Sequence, residues 1–224
     1  QRSAQAQGSN NAAAQTVDAY YQRIQALLGN PGANNSIDSF ITSFFNSVQQ
    51  LAETPETNSL KSNAVSSANV LAVQISDLAA NIHDLRYEAD REIVSAISTI
   101  NSSLDRLKNL NSALTQASSL GQSTADLLDS RDRELRILAE NLDISVTYTD
   151  TGGVSVAAGD GTVLLEDGVR HQLRYSAASS IDTLITDSTL NPLFVTTLNS
   201  EGQEVGSPSQ LISGGNSAQI TTGL

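Results

Sequence analysis

The chain has 224 residues, 24 acidic against 12 basic side chains for a net charge of −12, and no Cys, Met or Trp. Without Cys there is no disulfide, thiolate metal site or thiol catalysis. With only Lys61 and Lys108 among scattered Arg residues, the clustered cations that nucleic acid or an anionic membrane surface requires are missing. No apolar run approaches the roughly 20 residues that cross a bilayer, and no basic stretch followed by an apolar core marks a conventional export signal.

Breaker residues organise the rest. No Gly lies between Ala33 and Leu120 and no Pro between Glu56 and Asn191, whereas glycines cluster after Gly121. Gly admits positive φ and Pro cannot donate a ladder hydrogen bond, so this distribution predicts a helical first half and a β-rich second half that change over near Asp143.

In chain order, Val17–Leu28 reads as a first helix, with Tyr20, Tyr21, Ile24, Leu27 and Leu28, stopped by Gly29-Asn30-Pro31-Gly32. Ser36-Ile37-Asp38 starts a second, whose apolar side carries Ile37, Phe40, Ile41, Phe44, Phe45, Val48 and Leu51, with Pro55 beyond its end. The breaker-free window Ser59–Leu120 reads as one helix about 90 Å long at 1.5 Å per residue. Along it Leu71, Ile75, Leu78, Ile82, Leu85 and Ala89 alternate spacings of four and three. The series resumes at Ile93, Ile97, Ile100, Leu104, Leu107, Asn111 and Leu114. This is the narrow apolar seam of a coiled coil, with a stutter from Ala89 to Ile93 and a polar residue, Asn111, placed to fix register. A seam of this kind needs partner helices, since propensity alone stabilises an isolated helix too little.

A fourth helix is predicted over Thr124–Leu142, with Ser123 and Asp126 at capping-box spacing and an apolar stripe of Leu128, Leu135, Leu138 and Leu142. Arg131 interrupts that stripe. Its stem must cover apolar surface while its head finds a carboxylate or carbonyl, which would fix how this helix docks on the long one. From Ile144 the period becomes two: Ile144, Val146 and Tyr148, a turn at Asp150-Thr151-Gly152-Gly153, then Val154 and Val156, a hairpin signal. Shorter apolar segments follow at Val163–Leu165, Leu173–Tyr175, Ile181–Ile185, Phe194–Leu198 and Leu211–Ile212. The fold expected is α+β, an elongated helical bundle or coiled-coil rod around one very long helix, followed by a small antiparallel β domain. The boundaries expected are a helical rod at 1–143, a β-rich outer domain at 144–206 and a segment at 207–224 that returns toward the rod.

The chemistry is sparse. His83 and His171 are the only histidines, and neither stands in an HExxH context. No nucleophile elbow, phosphate-binding loop or dinucleotide fingerprint occurs. Asp84, Glu88 and Glu92 repeat every four residues among Arg86 and Arg91, where Arg86–Asp90 and Glu88–Arg91 are expected as helix-surface pairs. Asp150, Asp160 and Asp167 lie near glycines without EF-hand spacing and suit turns. Asp129–Arg133 and Asp132–Arg136 are acid-before-base pairs at favourable spacing. No catalytic, cofactor-binding or metal residue, and no cofactor, is expected.

One run is distinctive. Leu127-Leu128-Asp129-Ser130-Arg131-Asp132, followed by Leu135, Leu138 and Ile144–Tyr148, resembles the LLDxRD segment of the flagellar hook-associated protein 1 family, the first hook–filament junction proteins. Phe44-Phe45 through Leu51-Ala52 and Pro55 resemble the helix before that family's long helix. Ile100-Asn101 and Leu110-Asn111 resemble its Asn-bearing heptads, and Gly152-Gly153-Val154 to Leu164-Leu165 its first β segment. The likeness covers roughly Tyr20 to Leu165; Lys61 departs from the Arg more usual in the family.

The resemblance implies a structural subunit, not an enzyme, that joins hook to filament in the bacterial flagellum. It implies secretion unfolded through the flagellar type III channel and an extracellular place in the flagellum. Its partners would be hook protein, the second hook–filament junction protein and copies of itself, with an export chaperone bound through a C-terminal region. By the same resemblance this is a central fragment, monomeric, without the terminal polymerising segments. Two alternatives stand beside it: another flagellar axial protein such as a flagellin or hook-cap relative, which the LLDxRD run disfavours, and a surface-exposed adhesin-type binding domain.

Overall fold

Four helices precede six strands in the computed structural model, which describes residues 2–30, 33–177, 193–199 and 202–210. Helix α1 is Arg2–Leu28, α2 Ile37–Glu53, α3 Asn58–Ser119 and α4 Ala125–Asn141. The strands are β1 Ile144–Tyr148, β2 Val154–Ala158, β3 Val163–Glu166, β4 Val169–Arg174, β5 Phe194–Leu198 and β6 Glu204–Gln210. A long helix followed by a small antiparallel sheet is the fold class expected from the punctuation of the sequence. The expected segments Ile181–Ile185 and Leu211–Ile212 lie outside the described residues.

Each helix end has a local cause. Ser36 caps α2: its hydroxyl accepts from the Ser39 amide at 3.4 Å and donates to the Ala33 carbonyl at 2.8 Å. Helix α3 runs 62 residues, about 93 Å at the α-helical rise. It stops where Gly121 takes φ +66°, the Gln122 amide reaches back to the Ala117 carbonyl at 2.9 Å and the Gly121 amide to that of Ser118 at 3.2 Å. That pair of bonds is a Schellman stop, which favours glycine at the left-handed position. Two expectations are corrected here. Helix α1 begins at Arg2 rather than Val17, because a Gln/Ala/Asn-rich stretch has helix-forming residues but no apolar period to reveal them. The capping box at Ser123 is not used: Thr124 stands at the N-cap of α4, without a side-chain cap bond.

The strands form an antiparallel meander in which each pairs with its sequence neighbours, in the order β1-β2-β3-β4-β5-β6. Asp167 (φ +48°) and Gly168 (φ +77°) link Glu166 to its partner Val169 in a two-residue turn. Positive φ at both positions suits the right-handed twist of the flanking strands. Asp160 serves its turn by accepting from the Thr162 amide at 2.9 Å. Strand β6 runs through Glu204–Gln210, and so takes in residues 207–210, expected as part of a return segment. It carries Gly206 and Pro208, and sits at the sheet edge, where proline does not interrupt a ladder on both sides.

The chain packs as two compact units, one holding Asp18–Glu88 and the other holding the residues before Asp18 together with those from Ala89 onward. In the Asp18–Glu88 unit, the Ser47 and Ser67 hydroxyls are 2.6 Å apart between α2 and α3. Arg23 pairs with Glu88 and lies 5.2 Å from the centre of the Tyr20 ring. Tyr20, Ala64 and Leu85 are buried. No residue of α2 is buried, Leu71 and Leu78 are half-buried, and Ile75 and Ile82 are 52% and 39% exposed. A helical period says which side is apolar; burial needs a second surface closing over it, and here much of both apolar faces stays exposed.

The unit from Ala89 onward differs. Ile93, Ile97, Ile100, Leu104 and Leu107 of α3 form one core with Leu135, Leu138 and Leu142, with Val146, Val154 and Val156, and with Leu164, Leu165, Leu173 and Val195. Ala89 and Leu114 are buried as well. The same face of α3 thus packs on both α4 and the sheet. Each fully buried Leu or Ile contributes about 1.5–3 kcal/mol relative to an exposed one.

Candidate functional site

The polar groups that tie α3 and α4 to the sheet are the most specific feature of the structure. The Asn111 side-chain amide donates to the Val154 carbonyl at 2.7 Å, and its oxygen accepts from the Val154 amide at 2.9 Å. Ten residues earlier on α3, Asn101 does the same for Leu173, at 2.8 Å and 2.9 Å. The reason lies in β3, which is short. It pairs with Val156 and Ala157 of β2 and with Val169 and Arg170 of β4, so Val154 and Leu173 lie beyond its reach. Their backbone groups would cost about 1–3 kcal/mol each if buried without a partner. A carboxamide has one donor and one acceptor side by side, the same pair a neighbouring strand would offer. The Asn111 partner is therefore a strand backbone, where the seam pattern suggested a facing helix.

Two further ties accompany these. Arg170 of β4 pairs with Asp105 of α3, Nε to Oδ1 at 2.6 Å, and the Tyr175 hydroxyl donates to Asp90 at 2.6 Å. Asp90, Asn101, Asp105 and Asn111 are thus set along α3 as polar contacts to the sheet, beside the apolar residues that supply most of the burial. On the α4 side, Arg106 meets the buried Glu134 at 3.3 Å. Of these ties only Asn111 is foreshadowed by spacing, and Asn101 by the family resemblance, since an ion pair between a helix and a distant strand leaves no period in the chain.

The Leu127–Asp132 run sits on α4. Leu127 and Leu128 are half-buried, Asp129 is exposed, and Arg131 is 7% exposed. Arg131 donates through Nη1 to the Gly152 carbonyl and through Nε and Nη2 to Asp132, at 2.9 Å and 2.6 Å. Its guanidinium lies 5.0 Å from the centre of the Tyr148 ring. The head group meets a carbonyl and a carboxylate, as its place on an apolar stripe requires. The correction concerns location: Arg131 fastens α4 to the β1–β2 turn rather than to α3, and Asp132 bonds Arg131 within α4. Likewise Glu88 pairs with Arg23, a partner outside its own helix.

Glycine is needed in that turn. Gly152 has φ +85°, and a Cβ there would lie 3.0 Å from Leu128 Cδ2. Gly152→Ala is expected to destabilise the unit by about 1–2 kcal/mol, the cost of a left-handed L-residue. The check is a thermal melt, in which the midpoint falls by a few degrees while the Asn111→Ala background leaves the increment unchanged.

The histidines sit in ordinary surroundings. The His83 ring is 4.8 Å from that of Tyr87. His171 Nδ1 is 3.1 Å from the Thr197 hydroxyl, and partial burial lowers its pKa against an opposing pull from Glu166. The sign follows from linkage. With the folded pKa below 6.5, the unfolded chain takes up the proton first as pH falls. The contribution of His171 to stability is therefore full above 6.5 and is lost as pH drops through the folded value. His171→Gln should flatten this part of the melting-temperature profile between about pH 5 and 7.5, and an unchanged slope would contradict the assignment. Among the described residues, no group of three His, Cys, Asp or Glu is placed to hold a metal ion. No helix among them is long and apolar enough to cross a membrane.

A six-stranded meander latched to one long helix by two asparagines defines a structural packing unit. Residues 21–220 match the family described as "Flagellar hook-associated protein FlgK helical domain". The chain belongs to that family. It is similar to flagellar hook-associated protein 1 of Bacillus subtilis (strain 168), 26% identical over 108 residues, which cover 48% of this chain and 21% of that protein. Its fold is similar to that of the flagellar hook junction protein FlgK from Burkholderia pseudomallei, with a TM-score of 0.77 and 23% identity. That match covers 99% of this chain and 38% of the other. The chain therefore spans well under half the length of these relatives.

Proposed function

We propose that this chain is part of a structural subunit that joins the hook of a bacterial flagellum to its filament and performs no catalysis. The observation that carries the reading is the family match over residues 21–220. The interior supports it: the specific contacts of Asn101, Asn111, Asp105 and Asp90 hold a sheet in register on a helix. In this reading the protein is exported through the flagellar type III channel and stands outside the cell. It packs against hook protein, the second junction protein and copies of itself, and meets its export chaperone through a C-terminal region.

Deleting the full-length gene tests the proposal. Hooks are expected to form normally while filament subunits are released into the medium, and restoring the gene should restore filaments. Normal filaments on the deletion strain, seen by electron microscopy, would overturn it.

A further inference from the structure

We draw no further inference here: the strongest candidate, the unpartnered apolar face that α2 (Ile41, Phe45, Val48) and the first half of α3 (Ile75, Ile82) leave exposed, carries nothing because nothing in the structure shows what covers it.

Discussion

Leu104→Asp is expected to abolish cooperative folding of the unit that runs from Ala89 through the sheet. Leu104 is 0% exposed and belongs to the core shared by α3, α4 and the strands. Truncating such a leucine to alanine costs about 2–5 kcal/mol. A carboxylate adds the cost of an ion in an apolar interior, where Leu107, Leu135 and Leu138 offer no hydrogen bond. Against the roughly 5–15 kcal/mol that holds a domain together, the sum is enough to unfold it. Ile97→Asp, in the same cluster, should behave alike. The control is Ile75→Asp: 52% exposed, it leaves its charge in water and should move stability by less than about 1 kcal/mol. Circular dichroism melts of the three variants read the difference. A native-like transition in Leu104→Asp would mean that α3 does not pack on the sheet as described.

Asn111→Leu should be the most damaging change that adds apolar volume. Leucine has the same number of side-chain heavy atoms as asparagine and the same branching, yet it removes both the donor that serves the Val154 carbonyl and the acceptor that serves its amide. With two backbone groups stranded at a half-buried site, the loss expected is about 2–3 kcal/mol. Asn111→Asp sharpens the test, because it keeps the acceptor and turns the donor into a charge facing a carbonyl. It should also destabilise despite its nearly identical shape. Asn101→Leu should cost a similar amount through Leu173. The two sites lie about 15 Å apart along the helix, so their effects should add within about 0.5 kcal/mol. Denaturant midpoints for the single and double variants decide it. If Asn111→Leu is neutral, water satisfies Val154 equally well and the asparagine is no latch.

How much of this was legible in the sequence depends on whether the cause is local. Helices α2 and α3 could be read from breaker positions and apolar period, and the β1–β2 hairpin from alternation around Gly152-Gly153. Their causes lie within a few residues of chain. Strand β6 could not be read, because Glu204–Gln210 contains Gly206 and Pro208 and no apolar alternation. It is a strand because β5 pairs with it, and at an edge it needs no buried face.

The contacts of the site divide the same way. That Arg131 required an oxygen partner followed from its place on an apolar stripe; that the oxygen belonged to Gly152 depended on where the hairpin folds. Asn111 interrupts a heptad series, and a polar seam residue usually faces another helix. Only the shortness of β3, which leaves Val154 unpaired on one side, explains its actual partner. The same seam spacing of α3 holds on both sides of the stutter, at Ile75 and Ile82 and again at Ile93 and Ile100, yet the first two are exposed and the last two buried. Spacing records which side of a helix is apolar and is silent about what lies across from it.

The most direct test of the junction role is where the protein stands in an assembled flagellum. Antibody raised against the protein, and detected by gold labelling in electron micrographs, should mark one narrow band at the boundary between hook and filament. Label distributed along the filament, or confined to the growing tip, would contradict the account and place the protein among other axial components.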